Sequence, residues 1–281
     1  MPARVITVLV AAFVSFFLLI QTAPSADALP VAPAAPSPVE GVPQPCTPRH
    51  AWPKKASMKE IRAGLSAAHG IKLTGEMWND PSYREVVRLI WQGLDAVSCT
   101  DFLDTVKKRT DGKFHLNATH KRTWAWGDWS NTKSNAVTLD FAKLATVVDD
   151  DPGRVVRLLI HEIAHAWMSG APEAATHGFS SLYNQRGMFS NYGGSSRETF
   201  SEVVGYYVAR CADKNPYNGN QPSASDAEAS AYYSFVRSRV FNGVEFGPAP
   251  GAKVNCSLST GEASPKKTSR TPAPPPLPFL S

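Results

Sequence analysis

The sequence predicts an α+β fold, in which helices precede and follow one small mixed β-sheet. Three observations predict it: a stripe of apolar residues at helical spacing near the start, a group of short segments of β-type composition in the middle, and a long helix that begins at Pro152. Helices and strands grouped in this way along a chain are typical of the α+β class. We therefore expect a helical N-terminal layer, a sheet and a helical C-terminal subdomain.

Capping and periodicity predict the first helices. Ser57 is followed by Glu60 at the spacing of a capping box, and Ile61 and Leu65 then fall on one helix face. A longer helix is predicted from Pro81 to Ser98. Its apolar residues recur every three or four positions, which is typical of core packing: Val86, Leu89, Ile90, Leu94 and Val97.

Three segments rich in strand-forming residues predict the sheet, and turn formers separate them. They are Lys113 to Ala118, Arg122 to Ser130 and Ala136 to Phe141. The middle segment carries three tryptophans, which in a strand more often pack a core than form a surface for stacking carbohydrate. We expect core packing, with a carbohydrate platform as the alternative, for Trp124, Trp126 and Trp129.

Composition divides the chain into four parts. Residues 5–20 are uncharged and follow Arg4, and an Ala-x-Ala site ends at Ala28, so residues 1–28 are predicted to be a secretory signal peptide. An uncleaved N-terminal anchor is the alternative. Pro and Ala dominate residues 29–48, a spacer, and Pro dominates residues 257–281, a disordered tail. Residues 49–256 remain for one folded domain.

The balance of the composition predicts a folded, exported protein. The chain is 43% hydrophobic, enough to bury a core, and its net charge of +5 gives no indication of a nucleic-acid partner. After the signal peptide, no run of consecutive apolar residues is long enough to span a membrane. We expect a secreted, extracellular protein, with attachment to the cell wall as a further option.

Export favours disulfides among the four cysteines. We expect two bridges, with all three pairings open. A bridge between Cys46 and Cys256 would close the folded region at its two ends. The four residues are Cys46, Cys99, Cys211 and Cys256.

The residues that predict chemistry lie on the long helix. His161 and His165 are four residues apart, so both imidazoles face the same side and can bind one Zn²⁺. Glu162 sits one residue round the helix, where its carboxylate can accept a proton from a water activated by the metal. This His-Glu-x-x-His pattern is a known sequence signature of zinc hydrolases.

A catalytic zinc ion normally takes a third protein ligand. We favour Glu198 on a downstream helix, and His177 is the competing candidate. Glu202 lies one turn after Glu198 on the same face. It is expected to accept a hydrogen bond from the second ring nitrogen of a ligating histidine and so to fix its orientation.

His161 to His165, followed by Ser190 to Gly194 and by Glu198 to Glu202, resembles the catalytic domain of anthrax lethal factor and its relatives. These are zincin metalloendopeptidases of the glutamate-ligand class. The chain differs from the family pattern at Ala164 and Ser201, where the family usually has Gly and Ala, and its gap before Glu198 is shorter by about one residue.

The resemblance implies a zincin-like fold, with the active-site helix under the small mixed sheet. It implies that His161, His165 and Glu198 bind zinc and that Glu162 is the general base. Tyr192, by the same resemblance, would donate a hydrogen bond to the oxyanion that develops during peptide hydrolysis.

We therefore expect a secreted, monomeric zinc metalloendopeptidase that acts on proteins or peptides. Segment Ala136 to Phe141 precedes the metal-binding helix, as edge strands do in zincins, and is expected to dock an extended substrate by strand addition. The alternative is an exported surface or cell-wall-associated binding protein in which zinc is structural or absent.

Overall fold

The computed structural model describes residues 46, 49–121, 123–130, 135–192, 194–210 and 226–246. The predicted signal peptide, the spacer apart from Cys46, and the predicted tail lie outside these ranges, as do Cys211 and Cys256. Within the described ranges, no helix has both the length and the apolar character needed to cross a bilayer.

The N-terminal layer consists of helices α1 (Met58–His69), α2 (Arg84–Ala96) and α3 (Phe102–Arg109). The capping box is confirmed, because Ser57 Oγ accepts from the Glu60 N–H and Glu60 accepts from the Ser57 N–H. Helix α2 begins three residues later than predicted, since Pro81–Tyr83 forms a turn of 3₁₀ helix. Its predicted apolar stripe is buried throughout.

In the part of the chain that the structure describes, four strands form one mixed sheet: β1 (Lys72–Thr74), β2 (His115–Thr119), β3 (Gly127–Ser130) and β4 (Ala136–Asp140). Their order is β1-β2-β4-β3. The first two pairings are parallel, and β3 runs antiparallel to β4. A small mixed sheet is therefore confirmed, while the predicted strand over 122–130 is reduced to its last four residues.

The prediction that Ala136 to Phe141 is an edge strand is wrong. Val137 of β4 pairs with Leu116 of β2 on one side and with Trp129 of β3 on the other. Both edges of β4 are thus occupied, which leaves no main-chain groups for strand addition. β3 lies at the edge of the sheet instead, because the chain folds back after Ser130 and runs through β4 between β2 and β3.

Among the described residues, five further helices follow the sheet: α4 (Phe141–Ala145), α5 (Pro152–Met168), α6 (Glu173–Arg186), α7 (Ser196–Val208) and α8 (Asp226–Arg239). Helix α5 begins as predicted, with Asp151 accepting from the Arg154 N–H and Pro152 in the first turn. It packs against α2 and α3 on one side, against α7 on another, and under β3 and β4. These neighbouring helices and strands explain why α5 is buried over nearly its whole length.

One disulfide joins Cys46 to Cys99, a sequence separation of 53 residues. Cys46 is therefore not paired with Cys256, and the pairing that would close the folded region at its two ends is excluded. The observed bridge instead ties the segment before α1 to the loop that follows α2. Sequence position alone did not reveal that these two cysteines meet.

Candidate metal centre

Two histidines of α5 point their ring nitrogens toward one another, as their spacing predicts. His161 Nε2 lies 3.2 Å from His165 Nε2, and both residues are buried. Two imidazole nitrogens at this distance, each with a lone pair when the ring is neutral, can share one metal ion.

Helix α7 brings a carboxylate to the same point. Ser195 caps α7 by accepting from the Glu198 N–H at 3.2 Å, which places Glu198 in the first turn. Its Oε2 lies 3.2 Å from His165 Nε2 and 3.5 Å from His161 Nε2. The Glu198 side chain is 36% exposed, so one side of this group opens to solvent.

These three side chains form a candidate site for a divalent metal ion. Two imidazoles and one carboxylate, converging on one point with an open side, are the donors found in hydrolytic metal sites that keep a position for water. His177, the competing third ligand, lies on α6 and pairs with Glu173 at 3.3 Å on an exposed surface. The structure therefore favours Glu198 over His177.

Glu202 contacts the second ring nitrogen of His161, as predicted. Its Oε1 lies 3.0 Å from His161 Nδ1 and also accepts from Arg157 Nη1, while Oε2 accepts from Ser190 Oγ at 3.0 Å. When the His161 ring is neutral, a proton on Nδ1, donated to this carboxylate, leaves Nε2 with its lone pair directed at the site. Arg157 and Glu202 are fully buried, so this ion pair is shielded from water.

The electrostatics of the site follow from this packing. Burial alone would lower the pKa of His161, but hydrogen bonds to Glu198 and Glu202 outweigh it and raise the pKa to about 9. Burial would raise the pKa of Glu198, yet its contacts with the two histidines hold it well below the usual range for a carboxyl. Burial would also raise the pKa of Glu202, but the Arg157 charge and the contact with His161 lower it, so both glutamates remain ionised at neutral pH.

Glu162 lies under the edge strand rather than among the three ligands. It is 3% exposed, and a β-carbon placed on Gly127 of β3 would come within 3.0 Å of its Cγ and Oε1. Any residue larger than glycine at this strand position would displace the Glu162 carboxylate. Glu162 thus lines the cleft beside the candidate metal ligands.

The cleft has a volume of about 360 Å³. Tyr192 lies on its wall, with its ring centroid 6.0 Å from that of His161. Burial, with the nearby charges of Glu198 and Glu162, raises the pKa of the Tyr192 hydroxyl, so the phenol stays protonated and can donate a hydrogen bond.

The tryptophans of the middle segment divide into two groups. Trp126 and Trp129 pack against the core, which confirms the predicted packing role for these two. Trp124 is 70% exposed and lines the cleft, so the core prediction is wrong for this residue. Trp124 precedes the first residue of β3, Gly127, and so lies outside the paired part of that strand.

Sequence reasoning missed three residues that support the site. Arg157 precedes His161 by one turn of α5, and a buried basic residue at that spacing could have indicated a partner for Glu202. Ser190 gave no such signal, because it reaches Glu202 from the loop before α7. Gly127 was also missed, since its role depends on sheet pairing.

The fold and the site define a class of protein: an α+β domain with a candidate metal centre of two histidines and one glutamate at the base of a cleft. Comparisons of the chain with family models, with curated proteins and with solved structures found no match.

Proposed function

We propose that the protein is a zinc-dependent metalloendopeptidase with a zincin-like fold, of the glutamate-ligand class that lethal factor represents. One observation carries the proposal: His161 Nε2, His165 Nε2 and Glu198 Oε2 lie within 3.5 Å of one another at the base of an open cleft. Helix α5, which carries the two histidines, contacts β3 and β4 of the sheet, and this contact supports the proposal.

Zinc is the ion that this donor set fits best, since two imidazoles and one carboxylate match the ligands of hydrolytic zinc sites. Bound there, zinc would polarise a substrate carbonyl and lower the pKa of a coordinated water. His161 and His165 would hold it through Nε2 and Glu198 through Oε2. Glu202 would keep the His161 ring in the tautomer that binding requires.

Glu162 is the general base in this proposal. Its carboxylate accepts a proton from the attacking water and passes it to the amine nitrogen that leaves when the peptide bond breaks. β3 covers Glu162 at Gly127 and so restricts the positions that the carboxylate can take. Tyr192, which also lines the cleft, donates a hydrogen bond to the oxyanion of the tetrahedral intermediate.

Substrate docking is assigned to β3 rather than to β4. β3 is the edge of the sheet beside the cleft, and Gly127 and Trp129 line the cleft from this strand. An extended peptide can add to such an edge through main-chain hydrogen bonds. Trp124 and Arg197 line the same cleft and offer an apolar surface and a positive charge to substrate side chains.

We place this enzyme outside the cell, where it acts as a monomer. The signal-peptide prediction and the Cys46–Cys99 disulfide both support export, because structural disulfides persist in oxidising compartments. Its substrates are proteins or peptides that can adopt an extended conformation in the cleft.

Replacement of Glu162 by Gln tests the proposal. The variant keeps the shape of the side chain and the three metal ligands but loses the base. Cleavage of a mixed peptide library should fall by about 10²- to 10⁴-fold, with zinc content unchanged. The matched control is Glu173→Gln, on the exposed surface of α6, which should cleave at the wild-type rate.

Two results would contradict the proposal. Full activity in Glu162→Gln would exclude this residue as the base. A wild-type protein that binds zinc but cleaves no peptide in the library would favour the binding-protein alternative, for which the exposed Trp124 beside the cleft is the supporting observation.

A further inference from the structure

A second group of metal-ligating side chains lies on the N-terminal layer, formed by His50, His69 and Asp95. Each offers one ligand atom, and these atoms all lie within 4.8 Å of one another. We propose that these three residues bind a second divalent transition-metal ion, with Zn²⁺ as the expected ion. The proposal uses none of the residues of the peptidase site and does not depend on it.

Three separate parts of the chain bring these ligands together. His69 is the last residue of α1, and Asp95 lies in the last turn of α2. His50 comes from the segment before α1, which the Cys46–Cys99 disulfide ties to the end of α2. Trp91 of α2 holds the same segment by donating its Nε1–H to the His50 carbonyl oxygen at 2.8 Å.

Asp95 is oriented as a ligand would be. Its Oδ2 accepts from the backbone N–H groups of Arg49 at 3.0 Å and His50 at 3.4 Å. Its Oδ1 is then directed at His50 Nδ1, 2.8 Å away. The residue is 4% exposed, so backbone donors hold one carboxylate oxygen while the other is directed at His50.

His69 provides the observation that points to a ligand. The residue is 5% exposed, and its Nε2 has no hydrogen-bond partner within the described residues. Buried ring nitrogens are rarely left without a partner, and each such case requires an explanation. A metal ion between His69, His50 and Asp95 supplies that partner.

The neighbouring charge does not compete for this position. Lys107 Nζ donates to the His69 carbonyl oxygen at 3.4 Å and pairs with Asp104 at 2.7 Å, so its ammonium group is directed to the backbone and to its own helix. The rings of His50 and His69 meet edge to face, with centroids 5.2 Å apart. His50 is the most exposed of the three, with 34% of its side chain accessible, and offers a path for the ion to enter.

The donor set decides the class of ion. Two imidazoles and one carboxylate favour zinc or a similar first-row transition metal over calcium or magnesium, which prefer oxygen ligands alone. Binding would replace the hydrogen-bonded proton between His50 and Asp95 with the metal. The ion would then join the segment before α1 to the ends of both α1 and α2.

Zinc stoichiometry by equilibrium dialysis and metal analysis tests the proposal on the full chain with its disulfide intact. Wild type should bind two zinc ions per chain, and His50→Ala should bind one. His50 is partly exposed, so the variant should fold, which circular dichroism would verify. His177→Ala, an exposed histidine outside both groups, is the matched control and should bind two.

A third variant, His161→Ala, separates this proposal from the peptidase site. A zinc ion that is still bound in His161→Ala but is lost in His50→Ala supports the second site. This result supports the second site even if the peptidase proposal fails. The same zinc content in wild type and His50→Ala overturns the second site. In that case a loss of zinc in His161→Ala would still support the peptidase site.

Discussion

Gly205 of α7 lies against the backbone of Arg157 on α5. A β-carbon at Gly205 would be 2.9 Å from the Arg157 carbonyl oxygen and 3.4 Å from His161 Cβ. This close approach lets the carboxylates of Glu198 and Glu202, on the same side of α7, reach the histidines of α5. The small residue at position 205 thus sets the distance between the two halves of the candidate metal centre.

Gly205→Ala should therefore weaken both the fold and the site. The added methyl group must separate the helices, which we expect to cost about 1–3 kcal/mol of unfolding free energy and to lower zinc affinity. Urea denaturation and zinc dialysis measure the two effects. Gly64→Ala is the control: its β-carbon would make ordinary contact with Trp91 at 3.4 Å, so no loss is expected. Equal stability and equal zinc affinity in the two variants would show that the α5–α7 contact can accommodate the added methyl group.

Glu202→Gln tests whether this residue orients His161 rather than binding the metal directly. The change removes the charge that faces Arg157 and the strong acceptor for His161 Nδ1. We expect about 3 kcal/mol of destabilisation, because Arg157 is left buried without its counter-charge. Zinc affinity should fall by about 10- to 100-fold.

Ser190→Ala provides the graded control for Glu202, since it removes only the hydrogen bond to Oε2. Its destabilisation should be smaller, about 1.5 kcal/mol, and zinc affinity should change little. Zinc affinity unchanged in Glu202→Gln would mean that the His161 ring is held by other contacts.

Gly127→Ala tests the position of Glu162, the proposed general base. The new methyl group would lie 3.0 Å from the Glu162 carboxylate, which must move. We expect a lower kcat for peptide cleavage with zinc content retained, because no metal ligand is touched. Gly194→Ala, in the loop beside the cleft with no atom within 4 Å of its β-carbon, should leave both unchanged. A fall in zinc content instead of kcat would show that β3 supports the ligands rather than Glu162.

Asp140 should make folding stability sensitive to acid. It is buried at the end of β4, where its carboxylate accepts from the Lys121 and Lys143 N–H groups and faces Lys143 Nζ and His120. Burial would raise the pKa of Asp140, but these hydrogen bonds and the Lys143 charge lower it below 3.8. Its stabilisation is therefore present above pH 3.8 and is lost as the pH falls through the lowered pKa.

Urea unfolding between pH 7 and pH 3 checks this expectation. Asp140→Asn should be less stable than wild type at pH 7, and the difference should shrink as Asp140 becomes protonated in acid. A difference that stays constant over this range would show that the charge of Asp140 does not contribute.

Local patterns predicted the parts of the fold that depend on neighbours in sequence. The spacing of His161 and His165 places them together on any α-helix, and Ser57 with Glu60 forms a capping box wherever a helix begins there. Glu198 was predicted on a helix, yet its approach to the histidines rests on the contact of α7 with α5, which sequence spacing does not encode.

Pairings between distant segments could not be predicted in the same way. β1 has three residues, too few for an alternating pattern, and the edge position of β3 depends on where the chain returns after Ser130. The group of His50, His69 and Asp95 was missed for the same reason. Its members lie in three elements that no motif connects.

Zinc content of Glu198→Ala tests the proposed peptidase site most directly. The measurement is best made in the His50→Ala background, so that zinc at the other proposed site does not contribute, with peptide cleavage assayed in parallel. His50→Ala itself should hold one zinc ion and cleave the library, and adding Glu198→Ala should abolish both. Adding His177→Ala instead should change neither. Two results would contradict the assignment of Glu198 as the third ligand. One is zinc binding and cleavage that persist in the Glu198→Ala variant. The other is their loss in the His177→Ala variant.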